Sequence, residues 1–108
     1  DPQYANKKEI KGKYSKKISI RNNIIKTFDS SILLAMSIDN FTFENNTIIQ
    51  TNTYKPIFPD TKNLKIVNCN NTLIKGNTYE SLNGEKGSLS IDEKSTNVKI
   101  SRHSPFKK

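Results

Sequence analysis

Hydrophobic and polar positions alternate along this chain in short stretches, and the alternation breaks repeatedly at asparagine. Phe41-Thr42-Phe43-Glu44 puts two rings on one side and two polar groups on the other, the period of a strand with one buried face. Asn45-Asn46 interrupts it, and Thr47-Ile48-Ile49 resumes it. Asparagine tolerates left-handed backbone and hydrogen-bonds its own backbone, so the pair predicts a tight corner between two short strands. The same unit stands upstream as Ile18-Ser19-Ile20-Arg21-Asn22-Asn23-Ile24-Ile25. It stands downstream as Thr72-Leu73-Ile74-Lys75-Gly76-Asn77-Thr78-Tyr79.

Aligning the second corner residue gives Asn23, Asn46 and Asn77, with spacings of 46 − 23 = 23 and 77 − 46 = 31 residues. The longer interval extends backwards, setting Leu33 on Leu64, Ala35 on Ile66, Ile38 on Cys69 and Asn40 on Asn71. Asn97-Val98-Lys99-Ile100 repeats Asn71-Thr72-Leu73-Ile74 after 97 − 71 = 26 residues. An irregular period of this size, with short strands and Asn corners, predicts a solenoid of β coils in which like residues meet along an axis. A sandwich also has short strands at regular spacing, but it does not require one corner residue to recur in register.

The remaining elements follow from local composition. Residues 1–13 are polar and predict a cap or linker; 14–101 hold the coils; 102–108 read as a basic tail. Ile18, Ile20 and Ile25 are the expected inward residues of the first coil. Ile32-Leu33-Leu34-Ala35-Met36 is too short for an independent helix, and as a strand buried on both faces it predicts cover from neighbouring protein. Residues 52–60 form one long excursion, where Pro56 and Pro59 exclude a central strand. Asn83-Gly84 and Lys86-Gly87 mark turns, and Leu89–Ile91 and Val98–Ile100 are the last strands. The ends of such a stack are unpaired edges unless 1–13 and 102–108 cover them.

Composition changes this picture little. Hydrophobic residues make up 32% of 108 positions, against about 45–50% apolar (Gly included) in an ordinary domain. Their periodicity over 14–101 argues against disorder, and a thin solenoid core needs few inward residues per coil. The net charge of +8 reads either as a solvated surface that guards strand edges or as attraction to an anionic polymer. No aromatic-basic motif of a nucleic-acid binder accompanies it, so no nucleic-acid partner is expected. Asp1 in place of Met suggests a processed chain or an excised fragment. No apolar run is long enough for a signal peptide or a membrane span.

The units Phe41–Thr47 and Leu73–Thr78 resemble the right-handed parallel β-helix repeat, with its aliphatic and aromatic stacks and corner-asparagine ladders. The resemblance covers residues 14–101 and implies an all-β, right-handed parallel β-helix of about four coils. Members of this class mostly act on or bind polysaccharides outside the cell: pectate lyases, polygalacturonases, other glycosidases and phage tailspikes. The last coils are similar to those of secreted bacterial β-helix glycoside hydrolases, including the α-1,3-galactosidase group. That implies an extracellular or periplasmic location, a polysaccharide or glycan partner, and a C-terminal portion of a larger protein. It also leaves room for the preceding coils or a homo-oligomer as partners. The Asn-Thr-Asp, Asp-Asp, Gly-His-Gly and Arg-Ile-Lys marks of polygalacturonases are absent here. Repeat pattern speaks for fold and hardly for chemistry.

Glycoside hydrolysis needs two carboxylates facing one bond. Asp29, Asp39, Glu44, Asp60, Asp92 and Glu93 are the candidates, and no catalytic set emerges from them. The expectation from the resemblance is part of a glycoside hydrolase whose main catalytic residues lie outside this chain. The alternative is a non-catalytic glycan-binding or adhesive module that uses a basic surface. Glu44 faces outward with Lys75 as its register mate, which predicts an ion pair between coils. Sugar recognition pairs aromatic rings with hydrogen-bonding groups, and Tyr54, Phe58 and Asp60 on the long loop are the best substrate-binding set. The competing expectation is that Phe58 only pins the loop to the coils. Asn22, Asn45 and Asn68 either line an outer groove or belong to ladders. Cys69 reads as a small buried hydrophobe. His103 is the only histidine, so no His-based zinc site or His-assisted nucleophile is expected within the coils, and no metal or other cofactor.

Overall fold

In a computed structural model, the described residues are 8–57 and 61–108, with side chains described for 17–57 and 61–108. Among the described residues nine strands follow one another: β1 (Lys8–Arg21), β2 (Ile24–Thr27), β3 (Leu33–Glu44), β4 (Thr47–Gln50), β5 (Leu64–Val67), β6 (Asn70–Lys75), β7 (Thr78–Ser81), β8 (Leu89–Ile91) and β9 (Thr96–Ile100). Among the described residues there is no helix. The pairs these strands form are all parallel. The larger sheet runs β8-β5-β3-β6-β9 with β1 also on β3, and the smaller runs β2-β4-β7. The two sheets curl into a half-barrel, a shape that fits a solenoid only loosely.

The register reproduces the spacings read from the sequence. Leu33 pairs with Leu64 and Ala35 with Ile66; Phe41 pairs with Thr72, and Thr72 with Val98. Inward side chains therefore lie over one another. Leu33, Leu64 and Leu89 form one column, and Phe43, Ile74 and Ile100 another. The core holds Ile20, Ile38, Phe41, Phe43, Ile48, Cys69 and Ile74, all buried, with Ile18 and Ile25 packed against it. Phe41 and Phe43 stack with ring centroids 6.5 Å apart.

The corners are made by residues in the left-handed region. Asn22, Asn45 and Gly76 have φ of 58°, 56° and 71°, and Asn40, Asn71 and Asn97 have 62°, 58° and 52°. A Cβ added at Gly76 would overlap Asn45 Oδ1, so this corner needs glycine for space as well as for backbone freedom. Ser37 (φ 54°) and Asn40 bend β3 within its length. The first part of β3 can then pair with β5 and the second with β6.

Two boundaries differ from the sequence reading. β1 begins at Lys8, inside the stretch read as a cap, because its backbone pairs with Leu33–Met36. The stretch 102–108 is not a loose tail: Phe106 is fully buried in the core, and Lys107 forms a parallel bridge with Ser88. A third difference lies in Ile32–Met36. Leu34 and Met36 are only half-buried, while Ile32, Leu33 and Ala35 are buried, so the strand turns a single face to the core.

Candidate functional site

The long loop comes first because it carries the expected binding set. Tyr54 is 67% exposed and stands edge-on to Phe28, with ring centroids 5.4 Å apart. That contact ties the loop to the corner after β2. Phe58 and Asp60, the other two members of the set, lie outside the described residues.

A second candidate lies on the outer face of the larger sheet. Lys17, Ser19, Arg21, Asn40, Thr42 and Asn71 line an open cavity of about 380 Å³. Their arrangement follows from the repeat. Positions 17, 40, 71 and 97 are all left-handed and fall at the same point of successive levels, so their side chains project from one bend. Asn71 Nδ2 donates to Asp39 Oδ1 at 3.1 Å, and Asn97 Nδ2 donates to Asn71 Oδ1 at 2.6 Å. The amides are thus set in order along the stack. Beside them, Ser19 pairs with Thr42 and Leu73 with Lys99. Arg21 Nε stands 3.3 Å from Glu44 Oε1, and Lys75 Nζ 3.9 Å from Glu44 Oε2. One carboxylate therefore sits between two cations, as the register of Glu44 and Lys75 predicts. Both cations remain more than half exposed, so the pair contributes no more than about 1 kcal/mol.

Like Glu44, three more of the candidate carboxylates are engaged by neighbours, and Asp60 lies outside the described residues. Asp29 Oδ1 accepts from Ser30 N at 2.8 Å, and Asp39 accepts from Asn71. Asp92 Oδ1 accepts from Ser95 Oγ at 2.6 Å, Asn68 N at 3.0 Å and Ser95 N at 3.1 Å. Those bonds, the Ser95 hydroxyl foremost, hold its carboxyl below the usual aspartate range. Cys69 is fully buried, and burial pushes its thiol above the ordinary cysteine value, as suits a packing residue. Among the described residues no group of three His, Cys, Asp or Glu could hold a metal ion. No helix among them is long and apolar enough to cross a membrane.

Sequence reasoning missed a polar network at the far end of the smaller sheet. Thr27, Gln50 and Ser81 share a register position, and Gln50 is fully buried. Gln50 Nε2 donates to Glu85 Oε2 at 2.9 Å, while Ser81 Oγ and Tyr79 Oη donate to Gln50 Oε1. Ser30 Oγ reaches both Glu85 oxygens, at 3.0 and 3.2 Å. A hydroxyl or amide at one inward position of each level was the available signal, and Glu85 gave none. We found no family model, no curated protein and no solved structure that matches this chain.

Proposed function

We propose that this chain is a right-handed parallel β-helix module of about four coils that binds an anionic glycan on its outer face without performing catalysis itself. The supporting observation is the open cavity lined by Lys17 and Arg21 together with Asn40 and Asn71, which stand at the same register position of adjacent levels. Cations attract a carboxylated or sulfated sugar, and side-chain amides and the Thr42 hydroxyl offer hydrogen bonds to its hydroxyl groups. The engagement of Asp29, Asp39, Glu44 and Asp92 by neighbours supports binding over hydrolysis. Such a module belongs to a secreted protein, extracellular or periplasmic, whose chemistry resides in another region.

Binding to immobilised anionic and neutral polysaccharides tests this. We expect binding to the anionic set only, lost at moderate salt because exposed charges are screened. The double substitution Lys17→Gln with Arg21→Gln should weaken it about fivefold to tenfold, as two exposed ionic contacts allow. Equal affinity for neutral sugars, or an unchanged affinity in the double variant, contradicts the proposal. Equal affinity for single-stranded DNA would replace it with unselective polyanion binding.

A further inference from the structure

The stretch after β9 has a role that the surface groove does not require. Ser104 N bonds Ser101 O at 3.1 Å, turning the chain back. Ser104 Oγ then accepts from Phe106 N at 3.1 Å and donates to Phe106 O at 3.2 Å. The Phe106 ring enters the core against Tyr79, with centroids 5.2 Å apart. On the other side, Leu89 N bonds Lys107 O at 3.0 Å and Lys107 N bonds Gly87 O at 3.4 Å. A Cβ on Gly87 would overlap Pro105 O, so the return path passes where only glycine leaves room.

This segment is short, and most of the end it covers is strand edge. Among the described residues β7 pairs only with β4, β8 only with β5 and β9 only with β6. Lys107 pairs with Ser88 at an isolated bridge and continues no further. Beneath Phe106 the columns end on Leu89 and Tyr79, both part of or packed on the core. An uncovered end of parallel strands with apolar columns is a template for one more parallel level. The level that fits it is already present in the chain: β1 and β2 carry Ile18, Ile20 and Ile25 at the inward positions of the same repeat.

We infer that residues 104–107 are a displaceable plug over a self-association surface, and that the partner this surface fits is a second copy of the same chain stacked head to tail. The contact is heterologous, so it propagates rather than closes. The plug keeps the chain from stacking on itself while Phe106 is seated.

The full-length variants Gly87→Ala and Phe106→Ala test this, with amide exchange at positions 106 and 107 followed beside sedimentation velocity. Gly87→Ala removes no core side chain. We expect fast exchange at both amides, a retained β-sheet circular dichroism signal, and about a twofold or greater rise in weight-average mass with concentration, as an open-ended contact gives. Fast exchange with a constant monomer mass overturns the surface. Slow exchange in both variants overturns the displaceable plug. Loss of the β-sheet signal in both shows that the segment belongs to the minimum fold, and also overturns it.

Discussion

Two corners of the cross-section meet one requirement by different means. Where the larger sheet passes into the smaller, Asn46 Nδ2 donates to Asn77 Oδ1 at 3.0 Å, and Asn23 Nδ2 to Asn46 Oδ1 at 3.2 Å. The backbone N–H groups of Asn23 and Asn46 reach the same acceptors, and Asn46 and Asn77 also cap Ile20 O and Phe43 O. One residue type, repeated, satisfies the corner at every level. At the far end of the smaller sheet no single residue type repeats: Ser30, Gln50, Tyr79, Ser81 and Glu85 share one network assembled from four different segments. Buried polar groups need partners in either case. A ladder provides them by copying one residue, a network by bringing distant ones together.

If the ladder carries the corner, Asn46→Ala should be the most damaging change. It removes the acceptor of the Asn23 N–H and side-chain amide and the donor to Ile20 O, while Asn77 Oδ1 keeps only the Asn46 backbone N–H, and orphaned buried groups cost about 1–3 kcal/mol each. Sharing among neighbours reduces the sum, so we expect a loss of about 3 kcal/mol, read as a lower urea midpoint at constant slope. Gln50→Ala should cost less, about 2 kcal/mol, because Glu85 keeps the Ser30 hydroxyl. A larger effect at Gln50 than at Asn46 would reverse the comparison.

The corner asparagines were legible because repetition writes the same physical need at 23, 46 and 77. The network was not, because Glu85, which completes it, acts through a contact 55 residues away with Ser30, and no local pattern marks that residue. Phe106 was missed for a similar reason: a lone aromatic beyond the last alternating strand has no period. For the outer groove, the residues were visible, but only the left-handed bends at Lys17, Asn40 and Asn71 bring them to one place. The loop set of Tyr54, Phe58 and Asp60 followed from composition alone, and Tyr54 is engaged with Phe28.

A smaller test concerns a position where the columns themselves are imperfect. Thr72 sits inward between Phe41 and Val98, and its hydroxyl is buried without a partner among the described residues. Thr72→Val keeps the shape and removes the unsatisfied group, so it should stabilise the fold by about 1 kcal/mol. A destabilised variant would mean that the hydroxyl has a partner in solution, and that the apolar columns tolerate polar groups as the network corner does.

The smallest effect is at Asp92, on the exposed bend between β8 and β9. Its folded carboxyl titrates below the usual aspartate range, so its contribution is present above about pH 4, the ordinary aspartate value, and is lost as pH falls through the lowered one. Asp92→Asn should therefore be less stable than the parent at pH 7. The difference in urea midpoint should shrink on acidification through that window. A difference that stays constant down to acid pH would assign the effect to packing instead of charge.

The most direct test reads the amide column itself. Nuclear Overhauser contacts from the Asn46 side-chain NH2 should reach Asn23 on one side and Asn77 on the other, residues 23 and 31 positions away. Side-chain amide signals of Asn46 that show only sequential neighbours, or antiparallel contacts between the strands that flank it, would contradict the stacked, in-register arrangement.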